Sequence, residues 1–530
     1  MRIVVFTGHV DLEAQPSWQV IARTREVEAV LICRQLPSSW SGASRRFWRN
    51  VKKHGLLWIP YRLGVAALHL VARLIGSRER NPARLAARFP VERFETSSFR
   101  ADDTISRVTN WKPDLGISLG APILKPSLFT IPVHGTLNIH EGAVPEFRGA
   151  PPGFWELVSG SGEIGATAHW VDEGLDTGRV VAALRAKIYP KDTLRDVQAR
   201  AAELGQRVLA LALTRVAAGE AVGVAQDHGG TTNRQPVLSQ RLALALRLAA
   251  RRARRRFRLR ELAKTGAQLF SLWMYCPARD LVRTLTASHP LRAFNFHRVT
   301  HLCRDGMTVS PDVLRRQATY LCRTHDVISL KEALVLIREG RRLRRPAALL
   351  TFDDGYRSVY EHARPLFGEL GIAGCCFLST DLVGTDRRLP HDEDNPVRSM
   401  LEVMTWPEVH TLVADGWSMG SHSATHARLS ECRGEVLRHE VEGSRQTLFE
   451  QFGLHELTMA YPYGGRGDIS QEARDAIRAA GYAACFSDVF GEVALPHDPL
   501  DLDRIELGGD HDSLSWKVAA HGINLARFRG

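Results

Sequence analysis

The stretch TFDDGYRS, beginning at Thr351, sets Asp353 and Asp354 directly behind the apolar run Ala347–Leu350. Such a run followed at once by charge predicts a buried strand whose end opens on a rim, where α/β sheets and barrels present reactive groups. Adjacent side chains leaving a strand diverge, so one carboxylate can bind a cation while its neighbour meets a water held there. A second stretch, GWSMGSHSATHARLS, holds His422 and His426 with three residues between them. On a helix or helical turn this spacing puts both imidazoles on one face. Two histidines and a carboxylate, with coordination positions left open, suit Zn2+ or a similar divalent ion that activates water. The expected chemistry is attack of that water on an amide carbonyl, its proton passing to the neighbouring carboxylate.

A separate set lies far upstream, in LNIHEGAVPEFRGAPPGFWELVSGSGEIGATAHWVDEGLDTGRV. Asn138 and His140 alternate on a predicted strand and so face one side. Asp176 follows in the turn-like LDTG. An Asn amide can donate to a developing oxyanion, and a His can move the proton of an attacking amine. The Asp can hold or polarise that His, or relay protons through water. Together the three suit acyl transfer.

The downstream motifs resemble the polysaccharide deacetylase family, also called the chitooligosaccharide deacetylase homology domain. FNFHRVT is similar to its opening, LLTFDDGYRS to its first motif, GSHSATH to its second and AYPYGG (Ala460–Gly465) to its third. The resemblance runs through most of residues 291–530. It implies a distorted (β/α) barrel and metal-dependent removal of an N-acyl group from an amino sugar. It also implies Asp353 as general base, with Asp354, His422 and His426 as metal ligands. Tyr461-Pro462-Tyr463 would line the site near the leaving sugar. One element departs: many members carry a late Leu-x-His histidine that protonates the leaving amine, and His497, His511 and His521 do not sit in that pattern. His297 stands near the expected pocket, either as part of it or as a structural histidine.

The upstream motifs resemble the formyltransferases that use 10-formyltetrahydrofolate, which act on methionyl-tRNA, glycinamide ribonucleotide or sugar amines. NIHEGAVPEFRGAPP is similar to the NIH-x-SLLP-x-RG segment of that family, and GLDTG to its closing motif. The resemblance covers residues 1–235, weakly in the first hundred. It maps the catalytic triad onto Asn138, His140 and Asp176 and implies a Rossmann-like sheet with folate in a cleft at the strand ends. EGAVP replaces the usual Ser-Leu-Leu-Pro loop, while Pro145, Arg148 and Gly149 remain. No strong candidate stands out for the barrel with which tRNA-directed members hold tRNA, which lowers the tRNA reading, and no nucleic acid is expected.

The elements that must position these groups follow from the pattern of the chain. Arg2–Phe6, Val27–Cys33, Asp114–Gly120 and Gly135–His140 read as strands, and residues 56–75 as an amphipathic helix carrying Arg62, His69 and Arg73. Strands alternating with helices predict a mostly parallel sheet. A second α/β pattern starts near Ala293, so the expected organisation is a formyltransferase domain (1–235), an Arg-rich helical linker (236–290) and a deacetylase domain (291–530). Eight cysteines without a CxxC pair argue against a cysteine-bound metal or a disulfide scaffold. The start MRIVVFTGHV reads as a first strand rather than a signal peptide, and no run reaches membrane-span length. The expected location is cytoplasmic. The net charge is +12, but residues 241–264 hold nine Arg, one Lys and one Glu, so +9 of it is local (10 − 1). That stretch reads as a solvated helix, or as a basic amphipathic helix in peripheral contact with the inner face of an anionic membrane. Base-stacking aromatics do not accompany it, which argues against nucleic acid.

The whole chain is therefore expected to be bifunctional: a metal-dependent N-deacetylase and an N-formyltransferase acting on a nucleotide- or lipid-linked amino sugar. The alternatives are a formyltransferase paired with a deformylase, or a partly inactive carbohydrate-binding protein docked to membrane. The oligomeric state is not legible.

Overall fold

The computed structural model describes residues 1–13, 15–36, 87–227, 229–256, 259–495, 497–509 and 513–524, with isolated positions 48, 51, 59 and 63 between. The helix expected over residues 56–75 lies almost wholly outside the described residues, and so does His511. The chain divides into two compact units, Met1–Arg255 and Arg256–Gly530.

In the first unit the described strands are β1 (Arg2–Thr7), β2 (Ala29–Gln35), β3 (Val91–Thr96), β4 (Leu115–Leu119), β5 (Thr136–His140), β6 (Phe147–Gly149), β7 (Glu163–Trp170), β8 (Val180–Lys187) and β9 (Thr231–Asn233). A seven-stranded sheet runs β3-β2-β1-β4-β5-β7-β8. Its first five strands are parallel, and β7 and β8 extend it antiparallel. β1 lies between two parallel neighbours, which is why Ile3–Thr7 is buried throughout instead of alternating. The helix Leu194–Ala217 covers one face with Val197, Ala201, Leu204, Val208 and Leu213. Its start is fixed by a reciprocal cap: Thr193 Oγ1 accepts from Asp196 N at 3.1 Å, and Asp196 Oδ2 accepts from Thr193 N at 2.7 Å.

In the second unit they are β10 (Leu291–Phe296), β11 (Arg298–Val299), β12 (Thr308–Val309), β13 (Asp326–Val327), β14 (Ala347–Phe352), β15 (Cys375–Leu378), β16 (Ser418–Ser421), β17 (Thr458–Ala460), β18 (Ala484–Phe490) and β19 (Leu502–Glu506). The order β10-β19-β18-β17-β16-β15-β14, closed by pairing of β10 with β14, makes a seven-stranded parallel barrel, with β13 flanking the start of β14. Ala293, Leu349, Phe377, Ala460, Phe486 and Leu502 belong to its packed core. Because every strand points the same way, the residues that follow them meet on one rim.

The expected linker is shared between the units. Helix Leu238–Arg256 belongs to the first as far as Arg255, burying Leu238 and Leu244, while Arg247 donates to the carbonyls of Leu157 and Val158 at the end of helix Phe154–Ser159. Residues 259–286 run as one helical rod in the second, with a π-helical turn at Ser271–Tyr275.

Glu156, in helix Phe154–Ser159, is 2% exposed. Burial raises its carboxyl to about 7, against smaller opposing backbone hydrogen bonds. The folded unit therefore keeps a proton that the unfolded chain, titrating near 4.5, gives up. Stability then falls as pH rises from the unfolded value through about 7. Glu156→Gln is expected to stabilise the first unit at pH above that range by about 2–3 kcal/mol and to change little in acid. Unfolding curves at both pH extremes check this; equal shifts at both would contradict it.

Candidate active sites

At the barrel rim, β14 ends in Leu349, Leu350 and Phe352, all buried, which fixes where Asp353 leaves the barrel. Asp353 N donates to Phe296 O at 2.9 Å, holding the turn against β10. Asp354 (φ 72°) and Gly355 (φ 77°) both take the left-handed conformation, costly for a non-glycine residue, and the two carboxylates part. Asp353 is clamped by a fork: Arg504 Nη1 donates to Oδ1 at 2.8 Å and Nη2 to Oδ2 at 2.7 Å. Asn295 Nδ2 donates to Oδ2 at 3.1 Å and to Asp488 Oδ1 at 2.8 Å. Burial pushes the Asp353 carboxyl up, but the charges of Arg504, His422 and His297 outweigh it and hold it below the usual carboxylate range.

Asp354 has different surroundings. It is fully buried, and neither oxygen has a hydrogen-bond partner. His426 Nε2 lies 3.0 Å and His422 Nε2 3.4 Å from Oδ1, and His391 Nε2 lies 3.6 Å from Oδ2. Burial again raises the carboxyl, and the imidazoles of His426, His422 and His391 bring it well below its ordinary value. His422 Nδ1 donates to Ala460 O at 2.9 Å, which leaves Nε2 bare toward Asp354. Ligand atoms of Asp354, His422 and His426 lie within 4.8 Å of one another. Orphaned carboxylate oxygens facing two ring nitrogens, one with its tautomer set from behind, fit a divalent cation.

The two histidines do not converge on a helix, as their spacing predicts. They follow β16 on a loop in which Ser423 (φ 63°) and His426 (φ 66°) are left-handed. Side chains hold this loop in place of helical bonds. Ser421 Oγ accepts from Ser423 N at 3.1 Å and Ser423 Oγ from His426 N at 3.0 Å. Glu440, buried, accepts from the amides of Ala424 and Thr425 and from the Thr425 hydroxyl. The ring centroids of His422 and His426 still end 5.0 Å apart. Of the Tyr461-Pro462-Tyr463 segment, the ring of Tyr463 stands at the cluster, 4.9 Å from that of His426. Tyr461 is 1% exposed and packs into the barrel wall.

His297, just past β10, groups with Asp353 and Asp488, their ligand atoms within 4.8 Å of one another. Its Nδ1 is buried and unpartnered. Arg504, Asn295, Asp488 and His391 were not expected from sequence. For Asn295 the signal available was a lone polar residue inside an apolar strand run, FNF.

In the first unit, Asn138 and His140 face one side of β5, as alternation predicts, and both reach Asp176. Asn138 Nδ2 donates to Asp176 Oδ1 at 3.1 Å, and His140 Nδ1 lies 3.5 Å from Oδ2. The other nitrogen of His140, Nε2, donates to Phe147 O at 2.8 Å. Gly149 N donates to Asp176 Oδ2 at 2.9 Å. Burial raises the Asp176 carboxyl, while His169, His140 and the Gly149 amide more than offset it, and the net shift is downward. His169 joins from β7, opposite Asn138 in antiparallel register, 3.2 Å from its Nδ2. Gln226 Nε2 ties down the turn through the carbonyls of Asp176 and Gly178. A Cβ at Gly142 would come 2.5 Å from His140 Nε2, so the EGAVP loop lays bare backbone against the histidine.

Fold and geometry thus define two α/β units in tandem, each gathering carboxylate and imidazole groups at its strand ends. Residues 73–213 match the family model described as formyl transferase, and residues 340–485 the one described as polysaccharide deacetylase. The chain therefore carries a formyl transferase domain followed by a polysaccharide deacetylase domain. The methionyl-tRNA formyltransferase of Alkaliphilus oremlandii is 29% identical over 159 residues, which is 30% of this chain and 50% of that protein. The one of Pelotomaculum thermopropionicum is 38% identical over 105 residues, 20% of this chain and 34% of that protein. The chain spans about half or less of the length of these curated relatives. Among solved structures, IcaB from Ammonifex degensii is 24% identical, with 44% of this chain and 97% of that one covered and a TM-score of 0.36. The formyltransferase PseJ from Anoxybacillus kamchatkensis, in complex with UDP-4,6-dideoxy-4-formamido-L-AltNAc and tetrahydrofolate, is 24% identical, covering 29% of this chain and 79% of that one, with a TM-score of 0.25.

The clamp on Asp353 has a direct energetic signature. Arg504 and Asp353 are 0% and 1% exposed, so Arg504→Met strands a buried charge and is expected to cost about 3–5 kcal/mol. Adding Asp353→Asn should restore most of that loss, as read from urea unfolding. A double variant as unstable as the sum of the single ones would show that the pair is not coupled.

Proposed function

We propose that this chain is a bifunctional enzyme that hydrolyses an N-acyl group, acetyl first, from an amino sugar and formylates an amine from 10-formyltetrahydrofolate. The observation that carries the hydrolytic half is the buried Asp354 carboxylate, without hydrogen-bond partners, facing two imidazole nitrogens. Asp354, His422 and His426 would hold a divalent cation, zinc first, which would supply Lewis acidity to a water and to the substrate carbonyl. Asp353, kept ionised by Arg504 and oriented by Asn295, takes the proton of the attacking water. His297 stands on the same side as Asp353 and Asp488 and protonates the departing amine, filling the role of the absent late histidine.

In the first unit, the lone pair of the substrate amine attacks the formyl carbon, a new C–N bond forms, and the bond from that carbon to N10 of the folate breaks. His140 takes the amine proton at Nδ1, the nitrogen that its Nε2 bond to Phe147 O leaves bare and that Asp176 faces, and N10 of the departing tetrahydrofolate gains one. Asn138 donates to the developing oxyanion. Tethering the two activities raises the effective concentration of a shared amino-sugar intermediate, which supports acetyl-for-formyl exchange on one nitrogen. A nucleotide- or lipid-linked sugar is the substrate class. Eight cysteines, none of them in a disulfide, support a reducing, cytoplasmic compartment.

Mass spectrometry of candidate N-acetyl sugars incubated with enzyme and 10-formyltetrahydrofolate tests this. Release of acetate and appearance of the N-formyl sugar are expected, and a chelator should abolish both. Release of formate instead would identify a deformylase, and no product from any sugar would contradict the proposal. Gly142→Ala, which crowds His140, is expected to lower formylation of the free amine by about tenfold or more while acetate release is unchanged. Equal loss of both activities would separate that effect from His140.

A further inference from the structure

From residue 264 onward, the helical rod of residues 259–286 wears its amphipathicity reversed. Its polar side faces the barrel domain. Gln268, 2% exposed, donates to Ser515 Oγ at 2.9 Å, Asp280 accepts from His521 Nδ1 at 3.1 Å, and Arg283 pairs with Glu492 at 2.9 Å. Rolling the rod to bury its other side would break all three contacts. The outward side is apolar: Phe270 is 63% exposed, Trp273 77%, Met274 63%, Leu281 61% and Leu285 72%. From residue 265 to 286 the remaining exposed positions are Leu, Tyr, Val, Thr, Gly, Pro or Ala, and none carries a charge. A soluble helix ordinarily arranges these two sides the other way round, and an exposed apolar face of this extent marks a binding surface.

We propose that this face docks onto a bilayer containing anionic lipid. Charge selects that occupant. Residues 241–264, which lead into the face along the chain, carry ten basic residues and one acid, and such a segment is drawn to an anionic leaflet. Trp273 and Tyr275 bring amphipathic rings suited to the headgroup level. Among the described residues no helix is long and apolar enough to cross a membrane, so the rod lies in the interface plane. An apolar face with a basic lead supplies the two signals that stable peripheral binding needs. The inference is independent of the chemistry proposed for either unit.

Flotation of the full chain with vesicles tests it. The protein should rise with phosphatidylcholine–phosphatidylglycerol vesicles and far less with phosphatidylcholine alone. The triple variant Phe270→Glu, Trp273→Glu, Leu285→Glu, confined to exposed positions, should lose about tenfold or more of that binding with its melting curve unchanged. Replacing Arg251, Arg252, Arg254, Arg255 and Arg256 by Gln should erase the preference for anionic vesicles. Equal flotation of the triple variant would overturn the proposal. So would a wild-type chain that ignores vesicles but forms a dimer which the triple variant splits, since a second copy would then be the occupant.

Discussion

Two adjacent carboxylates can share one buried rim only if each is compensated by a different set of partners. That constraint organises the second unit. Asp353 meets a guanidinium fork from Arg504 and an amide from Asn295, while Asp354 turns through a left-handed residue toward imidazoles. The fork requires Arg504 to stand inside the barrel on β19, beside β10. β10 in turn pairs with β14, the strand that delivers the aspartates. Closure of the barrel and separation of the two carboxylates are one requirement.

The site of the first unit handles its one carboxylate, whose side chain is 10% exposed, differently. Both oxygens of Asp176 accept hydrogen bonds, from Asn138 and from the Gly149 amide, with His140 and His169 alongside. A fully satisfied carboxylate orients its neighbours and tunes their protons. The bare oxygens of Asp354 are arranged instead to receive a ligand. The same residue type thus serves two chemistries, and the difference lies in what its oxygens already touch.

Much of this was legible in sequence because local pattern carried it. The run AALLTF before DDG marks a barrel strand, and alternation in TLNIH puts Asn138 and His140 on one side; both hold in the structure. What failed was inference from spacing alone: three residues between His422 and His426 suggested a helix or helical turn, but hydroxyls and Glu440 stabilise a loop that a helical template omits. The groups that tune the sites were hidden for a topological reason. Arg504 lies 151 residues from Asp353, and His169 reaches Asn138 only through antiparallel register. The linker was read for its arginines alone, and only the structure shows that a hydrogen bond and ion pairs on one side of the rod turn the large apolar side chains of residues 269–285 outward.

The division of labour between the aspartates is tested most directly by metal content. After purification and equilibration with zinc, Asp353→Asn should retain the divalent ion bound by the wild type yet lose acyl hydrolysis, while Asp354→Asn should lose the ion itself. Equal metal content in the two variants, whether both loaded or both empty, would contradict distinct roles for Asp353 and Asp354.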